Sequence, residues 1–165
     1  AAEKYQERVV AKFYRPQRWS HASINDEHLF LSELQASEVP VLPAIVSPRG
    51  KTLEDIDGIW ACLFPRKVGR MPQEFLEGDL ERVGRLLAQL HNIGAQQKAK
   101  HRPTFASDNH PGWSALDILE EWIAPEVSPR YLKAAETILN YLEDYLIPQN
   151  FIRIHGDCHR GNLLS

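Results

Sequence analysis

Leu80, Val83, Leu86, Leu87, Leu90 and Ile93 recur at helical spacing and fall on one face. Such a stripe demands a surface to pack against, so a helix over about 79–93 is expected, with Gly94 as its stop signal. It also divides the chain. Before it the sequence reads mainly as strand: residues 5–14, limited by Pro16, and Gly58–Phe64, ending at Pro65. Residues 39–46 suit a loop and then a strand closed by Gly50. One short helix interrupts this region near 24–34, with Leu29, Phe30 and Leu34 as its apolar set and Asn25 or Asp26 as its cap. Residues 65–78 read as a connector. Beyond 98–112, a polar loop with prolines, two more helices are expected near 113–123 and 129–146, the second ended by Pro148. Phe151–Ile154 and Leu163–Leu164 then read as two short strands around a polar turn. Strands first and helices later predict an α+β fold in two lobes, 1–65 and 66–165.

Composition narrows the function classes. The chain has 165 residues, 43% hydrophobic and 25% charged, enough for a sizeable core. Its net charge of −3 gives no electrostatic reason to bind nucleic acid or an anionic membrane. No apolar run approaches the ~20 residues of a membrane span. Two distant cysteines, Cys62 and Cys158, make no disulfide framework, so a reducing, cytoplasmic setting is expected. The start at Ala1 and the stop within a strand-like run suggest a piece of a longer protein.

The most informative string is His155-Gly156-Asp157-Cys158-His159-Arg160-Gly161-Asn162. Phosphoryl transfer from ATP needs an acceptor for the substrate hydroxyl proton and oxygen ligands for Mg²⁺. Asp157 and Asn162, five apart in one turn, supply a carboxylate and a neutral oxygen ligand. Two blander readings compete. A polar turn without chemistry would also be rich in Asp and Gly. A metal or thiol site on His155, Cys158 and His159 lacks the paired ligands of a zinc module and the positioned base of a cysteine nucleophile. Lys12, on a strand face with Val10 and Tyr14, is by itself a weak signal, since a strand lysine is commonly solvated. His91 reads as structural.

His-Gly-Asp-x-x-x-x-Asn resembles the catalytic loop of the aminoglycoside and choline kinase-like phosphotransferases, with Gly156 in place of the Arg of the protein-kinase His-Arg-Asp pattern. With Val9-Val10-Ala11-Lys12-Phe13-Tyr14-Arg15-Pro16 and His101-Arg102-Pro103-Thr104, the chain is similar to the bacterial stress response kinase A branch, over nearly its whole length. That resemblance implies a protein-kinase-like fold with ATP and Mg²⁺ as cofactors. It implies Lys12 on the phosphates and Asp157 as catalytic base, with Asn162 on the metal. The hinge at Cys62, Leu63, Phe64 and Pro65 would meet adenine through its backbone. For the partner of Lys12 it favours Glu27 over Asp26 and Glu33.

The acceptor implied is a protein Ser or Thr hydroxyl. A polycationic aminoglycoside needs convergent carboxylates, whereas His155, His159, Arg160 and Arg153 leave the surroundings of Asp157 neutral to basic. A small-molecule kinase of the same fold and a non-catalytic nucleotide-binding or interaction module remain alternatives. A Gly-rich loop before Lys12 and a metal-binding Asp after Asn162 are absent from residues 1–165. The parent gene is therefore expected to continue into an acidic motif within ~20 residues, room for one turn and strand. The 165 residues alone are expected to be inactive.

Overall fold

The computed structural model describes residues 8–104, 111–146 and 148–164. The chain runs β1 (Val9–Phe13), α1 (His21–Ala36), β2 (Glu54–Ile56), β3 (Ile59–Pro65), α2 (Asp79–Gly94), α3 (Pro111–Glu120) and α4 (Ser128–Tyr145). It separates into two compact units, one of residues 1–102 with 152–165 and the other of residues 103–151. The architecture is mixed α+β, as expected.

In the first unit β3 lies between β1 and β2 in an antiparallel sheet. Lys12 stands opposite Cys62, and Val10 opposite Phe64. Tyr14 donates to the Trp60 carbonyl just beyond the β1 end, and Arg66 donates to the Arg8 carbonyl at the other end. Antiparallel pairs alternate between hydrogen-bonded and non-bonded. The bonded set is therefore 8–66, 10–64, 12–62 and 14–60, and its side chains share one face. Tyr14 and Cys62 on that face pack with Ile24 of α1 and with Leu53 in a buried cluster flanked by Trp19, Trp60 and Phe64.

Helix α1 starts earlier than its apolar pattern suggests. Ser20, in extended conformation, caps it by accepting from the Ser23 N–H at 3.1 Å, so neither Asn25 nor Asp26 is the cap. Leu29, expected in the core, is exposed, while Ser23 and His28 are buried beside Ile24 and Leu34. His28 escapes an apolar-period reading because its burial is made tolerable by partners. Its Nε2 lies 3.1 Å from the Tyr14 hydroxyl and its Nδ1 2.8 Å from Thr52 Oγ1. The Cys62 thiol donates to the Tyr14 oxygen at 3.7 Å. A neutral imidazole satisfies every group if Tyr14 donates to Nε2 and Nδ1–H donates to Thr52. Burial supports that state: it lowers the His28 pKa and raises those of Tyr14 and Cys62.

A second cluster joins α1 to α2 through Leu34, Val39, Leu90 and Ile93. Only the C-terminal half of the α2 stripe is spent there, and Leu80 remains 67% exposed. The strand expected before Gly50 does not form. Pro40 and Pro43 remove ladder donors, and the segment touches the sheet through one bond, Ile45 N–H to the Leu63 carbonyl at 2.7 Å. The strands expected at 151–154 and 163–164 are likewise unpaired, so the catalytic-loop hairpin is replaced by extended chain and a 3₁₀ turn at Arg160–Asn162.

What holds that extended chain is helix α2. The Arg153 N–H donates to the Gly94 carbonyl at 3.2 Å. A Cβ on Gly94 would collide with the Arg153 carbonyl, so glycine serves close approach here rather than a left-handed stop. The Arg153 side chain, only 8% exposed, reaches Glu33 of α1 at 2.6 Å and lies 4.2 Å over the Phe30 ring. In the second unit, Leu116 of α3 and Leu139 of α4 are buried, and the Trp113 indole N–H donates to Glu143 Oε1 at 3.0 Å.

Two outcomes follow from this packing. Glu33→Ala strands a buried guanidinium and is expected to cost about 3 kcal/mol. Gly94→Ala should destabilise by pushing residue 153 off the helix end. Urea unfolding reads both, and an unchanged midpoint in each would contradict the docking. The second outcome concerns pH. Because the folded state depresses the His28 pKa below the usual 6.5, its stabilising effect is complete above that value. It is lost as pH falls through the folded pKa, since the unfolded chain binds the proton more readily. A His28→Gln variant should show a shallower acid loss of stability; an identical acid slope would assign that loss elsewhere.

Candidate active site

Strand β1 and helix α1 position the first half of the site. Lys12 projects from the sheet face that α1 covers, and its Nζ lies 3.1 Å from Glu27 Oε1. The ammonium also sits 4.5 Å from the Tyr14 ring centroid and 5.8 Å from that of Phe64, a seat of aromatic faces. Both ionic partners are partly open to solvent. Such a pair contributes at most about 1 kcal/mol to stability, so its consequence is placement rather than energy.

The three acidic residues of α1 that compete for Lys12 have separate partners. Glu27 meets Lys12 through one oxygen and Arg102 Nη1 through the other, at 3.3 Å. Asp26 Oδ2 accepts the backbone N–H groups of Lys100 and His101 at 2.9 and 2.6 Å. Glu33 is taken by Arg153. Sequence reasoning missed Arg102 and Arg153 as organisers because each contact spans a long sequence separation with no local period to announce it.

Cys62 and Phe64 enter differently from the expected hinge contact. Both belong to the hydrogen-bonded register, so their backbone groups face β1 and are spent there. Adenine contact through the backbone of these two residues is therefore disfavoured by the ladder. Their side chains are what reach the site, Phe64 beside Lys12 and Cys62 in the buried network with Tyr14.

The second half is the loop 155–162. Gly156 has φ +76, a left-handed conformation that costs other residues about 1 kcal/mol, which accounts for glycine where an Arg stands in the protein-kinase pattern. The Asp157 N–H donates to His155 Nδ1 at 3.2 Å, and the Gly161 N–H donates to His159 Nδ1 at 3.0 Å. Asn162 donates its amide to the Asp157 carbonyl at 2.7 Å and to Asp157 Oδ2 at 3.1 Å. Arg160 donates to the Gln73 carbonyl, tying the loop to the 65–78 connector. Phe75, Leu80, Val83, Leu87 and Leu163 line a cleft of about 460 Å³ next to Cys158–Arg160.

The loop thus presents an exposed carboxylate and, with the Asn162 nitrogen committed to Asp157, leaves the amide oxygen as the remaining ligand atom of that side chain. Mg²⁺ is commonly held by one or two carboxylates together with substrate phosphates, and this donor pair fits that chemistry. The rival metal or thiol site on His155, Cys158 and His159 is not assembled. Both imidazole Nδ1 atoms serve the loop backbone, and the described residues hold no cluster of three His, Cys, Asp or Glu side chains suited to a metal. No helix among the described residues is long and apolar enough to cross a membrane.

Stress response kinase A of Escherichia coli (strain K12) is 34% identical over 163 residues, covering 95% of this chain and 48% of that protein. Serine/threonine protein kinase RdoA of Salmonella typhimurium is 35% identical over 160 residues, with the same shares covered. The chain therefore spans about half the length of these curated relatives. Residues 2–165 match the family model described as the phosphotransferase enzyme family, APH. The chain belongs to the phosphotransferase enzyme family.

Proposed function

We propose that this chain carries the nucleotide-holding and proton-accepting parts of an ATP- and Mg²⁺-dependent kinase that phosphorylates protein Ser or Thr hydroxyls. The observation that carries the proposal is the Lys12–Glu27 pair at 3.1 Å, on the same compact unit as the Asp157–Asn162 loop. A lysine oriented by a carboxylate is the recurring device for gripping ATP phosphates in kinases.

In this reading Lys12 binds phosphate oxygens and Glu27 keeps its ammonium from folding away. Asp157 accepts the acceptor's hydroxyl proton. The hydroxyl oxygen then bonds to the γ-phosphorus as the bond to the β–γ bridging oxygen breaks, and ADP leaves. Asn162 would hold Mg²⁺, which would supply charge neutralisation on the phosphates. Residues 1–65 form the nucleotide lobe and 66–165 the start of the acceptor lobe. A cytoplasmic location suits ATP and the exposed free thiol of Cys158. The protein acceptor is favoured by the name of the Salmonella typhimurium relative and by the scarcity of carboxylates around Asp157.

The division of labour is testable in the full-length gene product. Asp157→Asn keeps the shape but loses the base, so kcat should fall at least about 100-fold with ATP affinity nearly unchanged. Lys12→Ala should weaken ATP binding as well as rate. Calorimetry beside steady-state kinetics separates the two; lost ATP binding in a folded Asp157→Asn protein would contradict the assignment. For the acceptor, labelled ATP offered with a protein substrate or an aminoglycoside panel should label protein. Saturable labelling of an aminoglycoside with none on protein would overturn that choice.

A further inference from the structure

Glu27 has two carboxylate oxygens, and Lys12 occupies only one of them. A single-point ion pair between partly exposed side chains leaves the carboxylate free to turn about its last torsion, and the ammonium moves with it. The second oxygen lies 3.3 Å from Arg102 Nη1. The guanidinium has a second contact, and its segment a separate anchor. Its Cζ lies 4.3 Å from the centroid of the Trp19 ring, on the connection that leads into α1. The two residues before it, Lys100 and His101, give their backbone N–H groups to Asp26, the neighbour of Glu27. Asp26 and Glu27 thus hold the segment that leaves α2 by its backbone and by its side chain.

We propose that Arg102 is a positioning residue for ATP, acting through Glu27 on Lys12; the proposal rests on the kinase reading above. Two physical effects support it. The planar guanidinium stacks on an indole and offers fixed donors, so it sets the orientation of Glu27 in a way a flexible ammonium would not. Charge also matters. Lys12, Arg102 and Glu27 together carry one net positive charge, so a shared carboxylate leaves Lys12 less fully compensated and better able to attract a polyphosphate. An isolated one-to-one pair would be neutral. The Trp19 stack and the Asp26 clamp further make the exit of α2 part of the nucleotide site, although it lies some 75 residues along the chain from Glu27.

The test is a double-mutant cycle on the full-length gene product, read by ATP affinity in calorimetry and by the split between KM for ATP and kcat. Arg102→Ala should weaken ATP binding about tenfold, the size of a coupling between charged groups in contact. Arg102→Lys, which keeps the charge but not the plane, should recover only part of that loss. In a Glu27→Gln background Arg102→Ala should add little, because the route to Lys12 is already cut. Thermal unfolding of each variant confirms folding. An equal penalty in both backgrounds, or full recovery by lysine, would overturn the positioning role while leaving the kinase reading intact. If Lys12→Ala leaves ATP binding unchanged, the nucleotide site itself is misassigned and the proposal falls with it.

Discussion

Helix α1 must satisfy three carboxylates at once, and the first unit is organised around how it does so. Asp26 and Glu33 are seven residues apart and share a face two turns long, about 10 Å by helical rise. One fastens the segment after α2 and the other fastens Arg153, the stem of the 155–162 loop. Glu27, a third of the way around the helix from Asp26, turns toward the sheet and Lys12. One rigid element thereby fixes the strand lysine, the exit of α2 and the approach to Asp157 relative to one another.

Most of these contacts add little to stability, and their distribution shows why they are nonetheless informative. The Lys12–Glu27 and Arg102–Glu27 pairs are partly solvated, where water and salt weaken Coulomb attraction. The Arg153–Glu33 pair is different. Its guanidinium is buried against Phe30 and also donates to the Ile93 carbonyl at 3.3 Å, so its loss leaves an uncompensated charge. The solvated pairs keep the Lys12 charge open to the surface. The buried pair stands where the loop stem must not move.

The loop itself follows a complementary logic. It is not braced by a strand ladder, so its shape comes from its own side chains: His155 and His159 cap backbone N–H groups and Asn162 closes on Asp157. Groups held this way need little reorganisation when charge moves, which is the property that makes electrostatic stabilisation effective in a phosphotransferase.

The sequence by itself determined the four helices and the two longer strands, though not β2, because strand and helix periods are local: the helix near 79–93 appears as α2 at Asp79–Gly94, and Gly58–Phe64 contains most of β3. It also singled out Asp157, Asn162, Lys12 and Glu27, since a short string and a family resemblance sufficed to nominate them. Tertiary structure decided everything that depends on a distant partner. His28 looked polar and is buried because Tyr14 and Thr52 satisfy its ring. Leu29 looked like core and is exposed, between Asp26 and Glu33, whose partners are polar groups rather than an apolar surface. Gly94 looked like a helix stop and does end α2, but only the fold shows it as the contact point for Arg153. Arg102 stood in a string that carried the family resemblance, but its partner stayed hidden until the fold set it against Glu27, for a charge on a loop has no period, and only packing determines which opposite charge it meets.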